Sequence, residues 1–177
     1  MRLRHFFLVL VLFLSVKANA QIGIYGTFSG SHLGGIRPPY PYSGNYGFWT
    51  AGGTFGAYDD FAHLGPARLG IDARGSILDT HGHKLNSALA GVRFAFKAPA
   101  LPIRPYVQAS AGIGNTNYGG GSVTSNGFQY QIFGGLDFTF LPRLDWRVLE
   151  IGAGALHTNG SNYPVETLST GIVFRLP

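Results

Sequence analysis

The 177-residue chain contains no cysteine, which excludes a disulfide framework, thiolate zinc sites, iron–sulfur clusters and cysteine nucleophiles. Charged residues make up only 12% of the chain, and this low share argues against a disordered, solvated protein. The chain has a single methionine but 27 glycines, and 14% of its residues are aromatic. This composition disfavours a helical bundle and is typical of an all-β protein.

Long hydrophobic runs are also missing after residue 20, because no later segment reaches the roughly 18 consecutive apolar residues that a transmembrane helix needs. One shorter run, Phe6–Val16, follows two arginines and precedes the small residues Ala18-Asn19-Ala20. It would rise about 16 Å, roughly half of the hydrocarbon core of a bilayer, which disfavours a membrane anchor. The pattern predicts that residues 1–20 form a signal peptide, cleaved before Gln21, and that residues 21–177 are exported.

The net charge of +5 depends largely on this signal peptide. Arg2, Arg4 and Lys17 all lie within it, so the exported chain keeps ten basic residues against eight acidic ones. An excess of two positive charges is too weak to predict a nucleic-acid partner.

Beyond the signal, apolar residues recur at every second position in eight segments of about ten residues each. The eight predicted strands are Ile22–Gly30, Phe48–Tyr58, Arg68–Leu78, Asn86–Lys97, Arg104–Gly114, Phe128–Phe140, Trp146–His157 and Glu166–Leu176. Period-two alternation places one face of each strand in an apolar environment and the other in a polar one.

The polar faces contain few charges, and these are of both signs. They are Asp72, Arg74, Arg93, Asp137, Glu150 and Arg175. The rest of these faces is mainly Gly, Ser, Thr and Gln, whereas the solvated face of a soluble β-sandwich should carry many Lys and Glu. The polar faces are therefore predicted to point into a narrow interior, and the apolar faces, with Ala90, Val92, Ile132 and Ile151, outwards.

Connections alternate broadly between long and short, as expected when turns lie at one end of a barrel and loops at the other. The first outer loop, Ser31–Tyr46, is rich in Tyr and Pro, and the third is rich in Gly and Asn. Aromatic residues fall near the turn end, as in the girdles of membrane barrels. The predicted girdle consists of Tyr58, Phe94, Phe96, Tyr106, Phe138, Phe140, Trp146 and Phe174.

In this arrangement the chain resembles the small eight-stranded outer-membrane barrels, of the type of the transmembrane domains of outer membrane proteins A and X. The last strand, Ser169–Leu176, is similar to the family's C-terminal assembly signal, although here Arg175, Leu176 and Pro177 follow the aromatic residue. The resemblance covers residues 21–177. It implies an all-β, antiparallel, up-and-down transmembrane barrel in the outer membrane of a Gram-negative envelope.

The resemblance also implies the partners. These are outer-membrane lipid and lipopolysaccharide, together with the barrel-assembly machinery during biogenesis. The barrel is expected to be a monomer with an unidentified extracellular ligand.

The lumen of an eight-stranded barrel is just wide enough to be filled by side chains. The inward charges are therefore expected to pair as a plug, with Glu150 bound to at least one of Arg74, Arg93 and Arg175. This predicts a non-enzymatic protein with structural or recognition roles, and a narrow, porin-like pore is the first alternative.

Other motifs are weaker. His81 and His83 could meet on an extended loop, but metal sites usually have three or four ligands, so no metal or other cofactor is expected. The segment His157–Asn162 faintly resembles the His-x-Ser-Asn motif of the outer-membrane lipid A deacylase, another eight-stranded barrel, in which the Ser is the nucleophile and the His its base. Here Asn159 occupies the Ser position and Ser161 lies beyond the matched spacing. A hydrolase of this kind is the second alternative.

Overall fold

The computed structural model describes residues 21–36, 46–97, 101–117 and 124–176. These residues form eight antiparallel strands in a closed barrel, each hydrogen-bonded to its sequence neighbours. The strands are β1 (Gln21–Ile36), β2 (Tyr46–Leu64), β3 (Ala67–Thr80), β4 (His83–Phe96), β5 (Ile103–Asn117), β6 (Thr124–Leu141), β7 (Leu144–Thr158) and β8 (Ser161–Arg175). The predicted eight-stranded up-and-down barrel is confirmed.

Pairing of the first strand with the last closes the barrel. The register runs from Gly23 opposite Arg175 to Leu33 opposite Val165. Closure leaves no unpaired sheet edge, which is the condition for a β-sheet to lie in lipid. Both Gln21 and Arg175 lie at one end of the barrel, which we call the terminal mouth; the opposite end is the loop mouth. In the described part of the chain, no helix is long and apolar enough to cross a membrane.

The turns are tighter than the sequence pattern predicted, because the strands continue beyond their predicted ends. β2 runs on to Leu64 and meets β3 through Gly65-Pro66, where Gly65 adopts a φ of 63°. At the loop mouth, His81 and Gly82 join β3 to β4 with φ values of 52° and 81°. Two successive positive φ angles match the twist of a two-residue hairpin turn.

The barrel is polar inside and apolar outside. Large hydrophobic side chains cover its outer surface; Phe28, Ile132 and Ile77, for example, are 65 to 66% exposed. Ala90, Val92 and Ile151 also point outwards. Soluble proteins do not expose a continuous apolar surface of this kind, whereas a barrel surrounded by lipid requires one. The fold is therefore that of a transmembrane barrel.

One irregularity changes which β7 residues face the interior. The β7–β8 register shifts between Arg147 and Glu150. Both residues are therefore buried, although Glu150 comes three positions after Arg147 and simple alternation would place them on opposite faces. A β-bulge inserts an extra residue and reverses the inside–outside alternation beyond it. Val148 and Leu149 occupy the bulge and leave both charged side chains in the lumen.

Three predicted features lie outside the described residues. These are the signal peptide at residues 1–20, the Pro-rich part of the first outer loop at 37–45, and the glycine-rich part of the third outer loop at 118–123.

Candidate functional site: the charged lumen

Seven charged side chains form a continuous chain through the lumen, alternating in sign. In order of contact, this charge chain is Asp60, Arg93, Asp137, Arg147, Glu150, Arg74 and Asp72. The ion-pair distances between neighbours range from 2.9 to 3.3 Å, and every member is at most 5% exposed. Buried charges are tolerated when they are paired and hydrogen-bonded in this way.

Aromatic rings separate the three arginines of the charge chain. The Arg93 guanidinium lies between Tyr58 and Tyr106, with distances of 3.9 and 4.4 Å to the ring centroids. Arg147 lies between Tyr106 and Tyr25, at 4.8 and 4.3 Å. Guanidinium planes bind aromatic faces favourably, especially where water is excluded. The rings therefore both shield the like charges from one another and fill the lumen.

Arg74 ends this stack of rings and guanidiniums. Its guanidinium carbon lies 4.0 Å from the Phe133 ring centroid and 5.7 Å from that of Tyr25. The complete stack reads Tyr58, Arg93, Tyr106, Arg147, Tyr25, Arg74 and Phe133. It crosses the lumen from one wall to another, because Tyr58 belongs to β2 and Phe133 to β6.

Hydrogen bonds from neutral side chains satisfy the remaining carboxylate oxygens. The Tyr106 hydroxyl donates to Glu150 at 2.5 Å, and the Tyr25 hydroxyl donates to Asp72 at 2.9 Å. Gln108 donates through Nε2 to Asp72 at 2.6 Å and accepts a hydrogen bond from Arg74 at 3.1 Å. The carboxylates of the charge chain are thus hydrogen-bonded, whereas the Tyr58 hydroxyl, Arg93 Nε and Arg147 Nη2 are buried without a hydrogen-bond partner among the described residues. Movement of a paired member would leave further buried polar groups unpaired, which makes such a network rigid.

Glycines opposite the large rings provide the space for the stack. Tyr106 is paired in register with Gly135 on β6, and Tyr58 with Gly23 on β1. A methyl group on either glycine would overlap the facing tyrosine ring. The high glycine content of the chain therefore serves, at these positions, to accommodate bulky aromatic side chains in a narrow barrel.

Towards the loop mouth, the side chains that fill the lumen change from charged to neutral. Above the charge chain lies a layer of hydroxyl groups, in which Ser29 hydrogen-bonds Thr54 at 2.9 Å and Ser169 at 2.8 Å. A cavity of about 10 Å³ remains there, enough for about one water molecule. Beyond it, a cluster of buried apolar side chains closes the lumen. The members of this apolar cap are Leu33, Phe48, Leu85, Leu156 and Val165.

The structure brings the six sequence-predicted charges into the lumen. Asp72, Arg74, Arg93, Asp137 and Glu150 all belong to the charge chain, whereas Arg175 binds Asp145 at 2.9 Å. Glu150 accepts hydrogen bonds from Arg74 and also from Arg147, whose participation the sequence pattern did not predict. Arg93 pairs with Asp60 and Asp137 instead.

Two of the predicted girdle residues were assigned wrongly. Tyr58 and Tyr106 are only 2 and 3% exposed and lie in the stack inside the lumen, because their strand positions share the parity of Asp60 and Gln108. The other predicted members are at least 36% exposed on the outer surface near the terminal mouth. They are Phe94, Phe96, Phe138, Phe140, Trp146 and Phe174.

Four further charges lie in the interior that the sequence pattern did not predict, for identifiable reasons. Asp60 and Asp145 lie just outside the predicted strands, in the residues by which the observed β2 and β7 are longer. Arg147 is displaced by the β7 bulge, so simple alternation placed it with the lipid-facing residues. Arg104 shares the inward parity of Tyr106, and this signal could have identified it.

The remaining candidate residues do not assemble into a reactive site. His83 stacks on Phe48 at 4.8 Å, while His81 forms the turn, and no group of three potential metal ligands occurs among the described residues. On the β7–β8 hairpin, His157 is exposed and binds Asn162 at 2.8 Å. Ser161 is paired in register with Thr158, on the opposite face from His157. Glu150 is held inside the lumen and is therefore not available to orient this histidine.

Several solved structures are similar to this chain. The chain is similar to Neisserial surface protein A, with a TM-score of 0.52 and 15% identity, over 86% of this chain and 97% of that one. It also matches the attachment invasion locus protein of Yersinia pestis, with a TM-score of 0.48 and 15% identity over 89% and 99% of the two chains. The outer membrane enzyme PagL matches with a TM-score of 0.44 and 17% identity over 85% and 99%.

No protein-family model matches the chain, and no curated protein sequence matches it. At these low identities the structural likeness concerns the fold alone. It shows that the chain has the fold of the small eight-stranded outer-membrane barrels, as the sequence pattern predicted.

Proposed function

We propose that this protein is a non-enzymatic integral barrel of the outer membrane, with a closed lumen and with loops that serve structural or recognition roles. The observation that carries the proposal is the charge chain, whose seven members are buried and paired across the full width of the barrel. Side chains held by this many mutual contacts leave no space for a substrate. The protein therefore acts through its outer surface and its loops.

The outer surface supports the location in a membrane. Apolar side chains cover the wall, and towards the loop mouth they give way to Asn86, Asn115 and Asn126, which are neighbours in register on β4, β5 and β6. This change from apolar to amide side chains fits the upper boundary of a lipid-facing belt. The strands of 14 to 19 residues exceed the roughly 9 to 11 that cross a bilayer, so their ends project on the loop side.

Export to the outer membrane requires the predicted signal peptide at residues 1–20. N-terminal sequencing of the protein purified from outer membranes tests this part of the proposal. We expect the mature chain to begin at Gln21, and retention of Met1 would contradict it.

Side chains block the lumen at two depths, which supports a barrel that does not conduct ions. An ion would have to pass the charge chain and then the apolar cap of Leu33, Phe48, Leu85, Leu156 and Val165. Opening the first level breaks buried ion pairs, at a cost of about 3–5 kcal/mol for each charge left without a partner. A dry apolar constriction is itself a barrier to ions.

Planar-bilayer recording of the refolded protein tests the proposal. We expect no steady current, whereas a general diffusion porin, reconstituted in parallel, provides the positive control. A steady single-channel conductance that changes when Arg147 is replaced by Gln would show that ions pass through the charge chain and would favour the porin-like alternative.

Incubation with lipopolysaccharide, followed by mass spectrometry of the released fatty acids, tests the hydrolase alternative. Release of fatty acids by the wild-type protein would contradict a non-enzymatic role.

A further inference from the structure

The terminal mouth carries an excess of positive charge that the closed-barrel function does not explain. Arg68, Arg104 and Arg175 point into this mouth, and Lys97 lies beside them, directly after β4. Among the described residues, Asp145 is the one carboxylate that forms an ion pair with any of the four, through Arg175. Asp137 is next to Arg104 across β5 and β6, but Arg93 and Arg147 occupy its carboxylate.

Two of these guanidiniums share one neutral acceptor. Arg104 donates from Nη1 to Gln21 Oε1 at 3.1 Å, and Arg68 donates to the same oxygen. Gln21 lies on β1, opposite β5 in the barrel, so its amide reaches across the mouth. Arg104 is only 5% exposed and forms no ion pair within the described part of the chain. A buried guanidinium normally binds a carboxylate or a phosphate, and an amide oxygen compensates its charge poorly.

Further donors in the mouth lack acceptors. Arg175 donates a hydrogen bond from Nη2 to the Thr139 hydroxyl and forms an ion pair with Asp145, whose two carboxylate oxygens accept no hydrogen bond among the described residues. The Arg175 Nε is buried and also has no hydrogen-bond partner there. His63, paired in register with Arg68, has a buried Nε2 without a partner, and this atom is a donor in one of the two neutral tautomers and in the charged ring. Buried donors without acceptors are rare in folded proteins and can mark a site for a ligand or solvent. Arg93 Nε and Arg147 Nη2 are two further examples deeper in the lumen, so the donors of the mouth support an anion site together with its charge and not by themselves.

Electrostatics at Lys97 agrees with this geometry. The neighbouring Arg104 guanidinium lowers the pKa of the Lys97 ammonium below its usual value, and Arg68 and Arg175 act in the same direction. Lys97 is exposed, so solvent reaches this edge of the mouth. Four converging cations at an open end, with one carboxylate among them, attract an anion.

We propose that the terminal mouth is an oxyanion site that binds a phosphate group. Arg104 and Arg68 form its base, Arg175 its side and Lys97 its rim. Guanidinium groups match the geometry of phosphate, and the ammonium adds a positive charge. The phosphate group belongs either to a soluble phosphate compound or to the headgroup of a phospholipid in the adjoining leaflet. This inference adds a ligand to the proposed function and does not depend on whether the lumen conducts.

Isothermal titration calorimetry with inorganic pyrophosphate tests the site, using the full chain folded in maltoside micelles at constant ionic strength. We expect saturable binding, weakened about tenfold by Arg104→Gln through loss of a charge-assisted hydrogen bond. Lys84→Gln is the matched control, because Lys84 is a half-exposed cation paired with Asp79 near the loop mouth. It should leave the binding unchanged, and an equal loss in both variants would show nonspecific attraction and overturn the proposal.

A second readout needs no variant. The chain has three lysines, and one of these lies in the predicted signal peptide, so the Cε resonances of Lys84 and Lys97 can be followed together in a chain with ¹³C-labelled lysine. Bound pyrophosphate favours the protonated ammonium and should raise the pKa of Lys97 while leaving that of Lys84 unchanged. This measurement remains decisive if Arg104→Gln does not fold.

The same resonance distinguishes the two phosphate sources. Pyrophosphate that binds in maltoside micelles and raises the Lys97 pKa indicates a soluble phosphate compound. A Lys97 pKa that rises on transfer to phosphatidylglycerol nanodiscs, without added pyrophosphate, indicates the lipid headgroup. An unchanged Lys97 pKa in both experiments would overturn the proposal, whether or not the protein forms a closed barrel.

Discussion

Glu150 joins Arg147 to Arg74 in the charge chain, so replacing it by Gln tests the whole arrangement. Its Oε2 accepts hydrogen bonds from Arg74 at 3.1 Å, from Arg147 at 3.3 Å and from Tyr106 at 2.5 Å, and its Oε1 accepts another from Arg74 at 2.9 Å. Glutamine retains one acceptor oxygen but presents an amide donor to the other donors. Whichever way the amide turns, at least one guanidinium N–H meets another donor.

The size of the effect follows from burial. Glu150 is 1% exposed, and so neither solvent nor salt replaces the lost negative charge. Hydrogen bonds to charged groups contribute about 1.5–3 kcal/mol each, and disruption of a buried ion pair costs about 3–5 kcal/mol. We therefore expect Glu150→Gln to lower the free energy of unfolding by about 3–5 kcal/mol. Arg74 keeps Asp72 and Arg147 keeps Asp137, so the barrel should still fold.

Urea titration of the refolded protein, followed by the different gel mobilities of folded and unfolded barrels, measures this loss. Glu166→Gln is the matched control, because the Glu166 side chain is 67% exposed and its contact with His32 spans 3.7 Å. Exposed pairs contribute at most about 1 kcal/mol, so the control should unfold close to the wild type. Equal unfolding energies for Glu150→Gln and the control would refute the structural role of the charge chain. A new current in the folded variant would instead identify Glu150 as part of a gate.

Two further substitutions test the walls of the barrel. Ile132→Arg should destabilise the protein by about 2–4 kcal/mol in lipid vesicles, because this outward side chain contacts the hydrocarbon. Ile132→Phe is the control and should be tolerated. Equal free energies of unfolding for the two variants would show that this face is not in lipid. Gly135→Ala should cost about 1–3 kcal/mol in the urea titration, because the new methyl overlaps the Tyr106 ring. Gly134→Ala has open space around its Cβ and serves as its control, so a similar loss in both would contradict the packing of Tyr106 against Gly135.

The arrangement of the strands could be predicted from the sequence because it depends on local chemistry. Period-two alternation assigns each side chain to one of two faces, and the scarcity of Lys and Glu on the polar face indicates an interior. Asp72, Arg74 and Glu150 were identified as inward charges in this way. The partner of Glu150 could not be chosen among Arg74, Arg93 and Arg175, because pairing across a lumen depends on the depth and stagger of strands that are distant in sequence.

Other features were decided by tertiary structure. Tyr58 and Tyr106 are of the residue type that forms aromatic girdles, yet both side chains lie inside the lumen. Facing glycines leave room for their rings there, and guanidinium groups bind the ring faces. Arg147 enters the lumen because a bulge reverses the alternation of β7, and no local signal marks that extra residue. The sequence alone therefore determined a membrane barrel with polar contents, since alternation is a property of each strand. Closure of the barrel decided which charges meet, because contact across the lumen joins residues that only the complete sheet brings together.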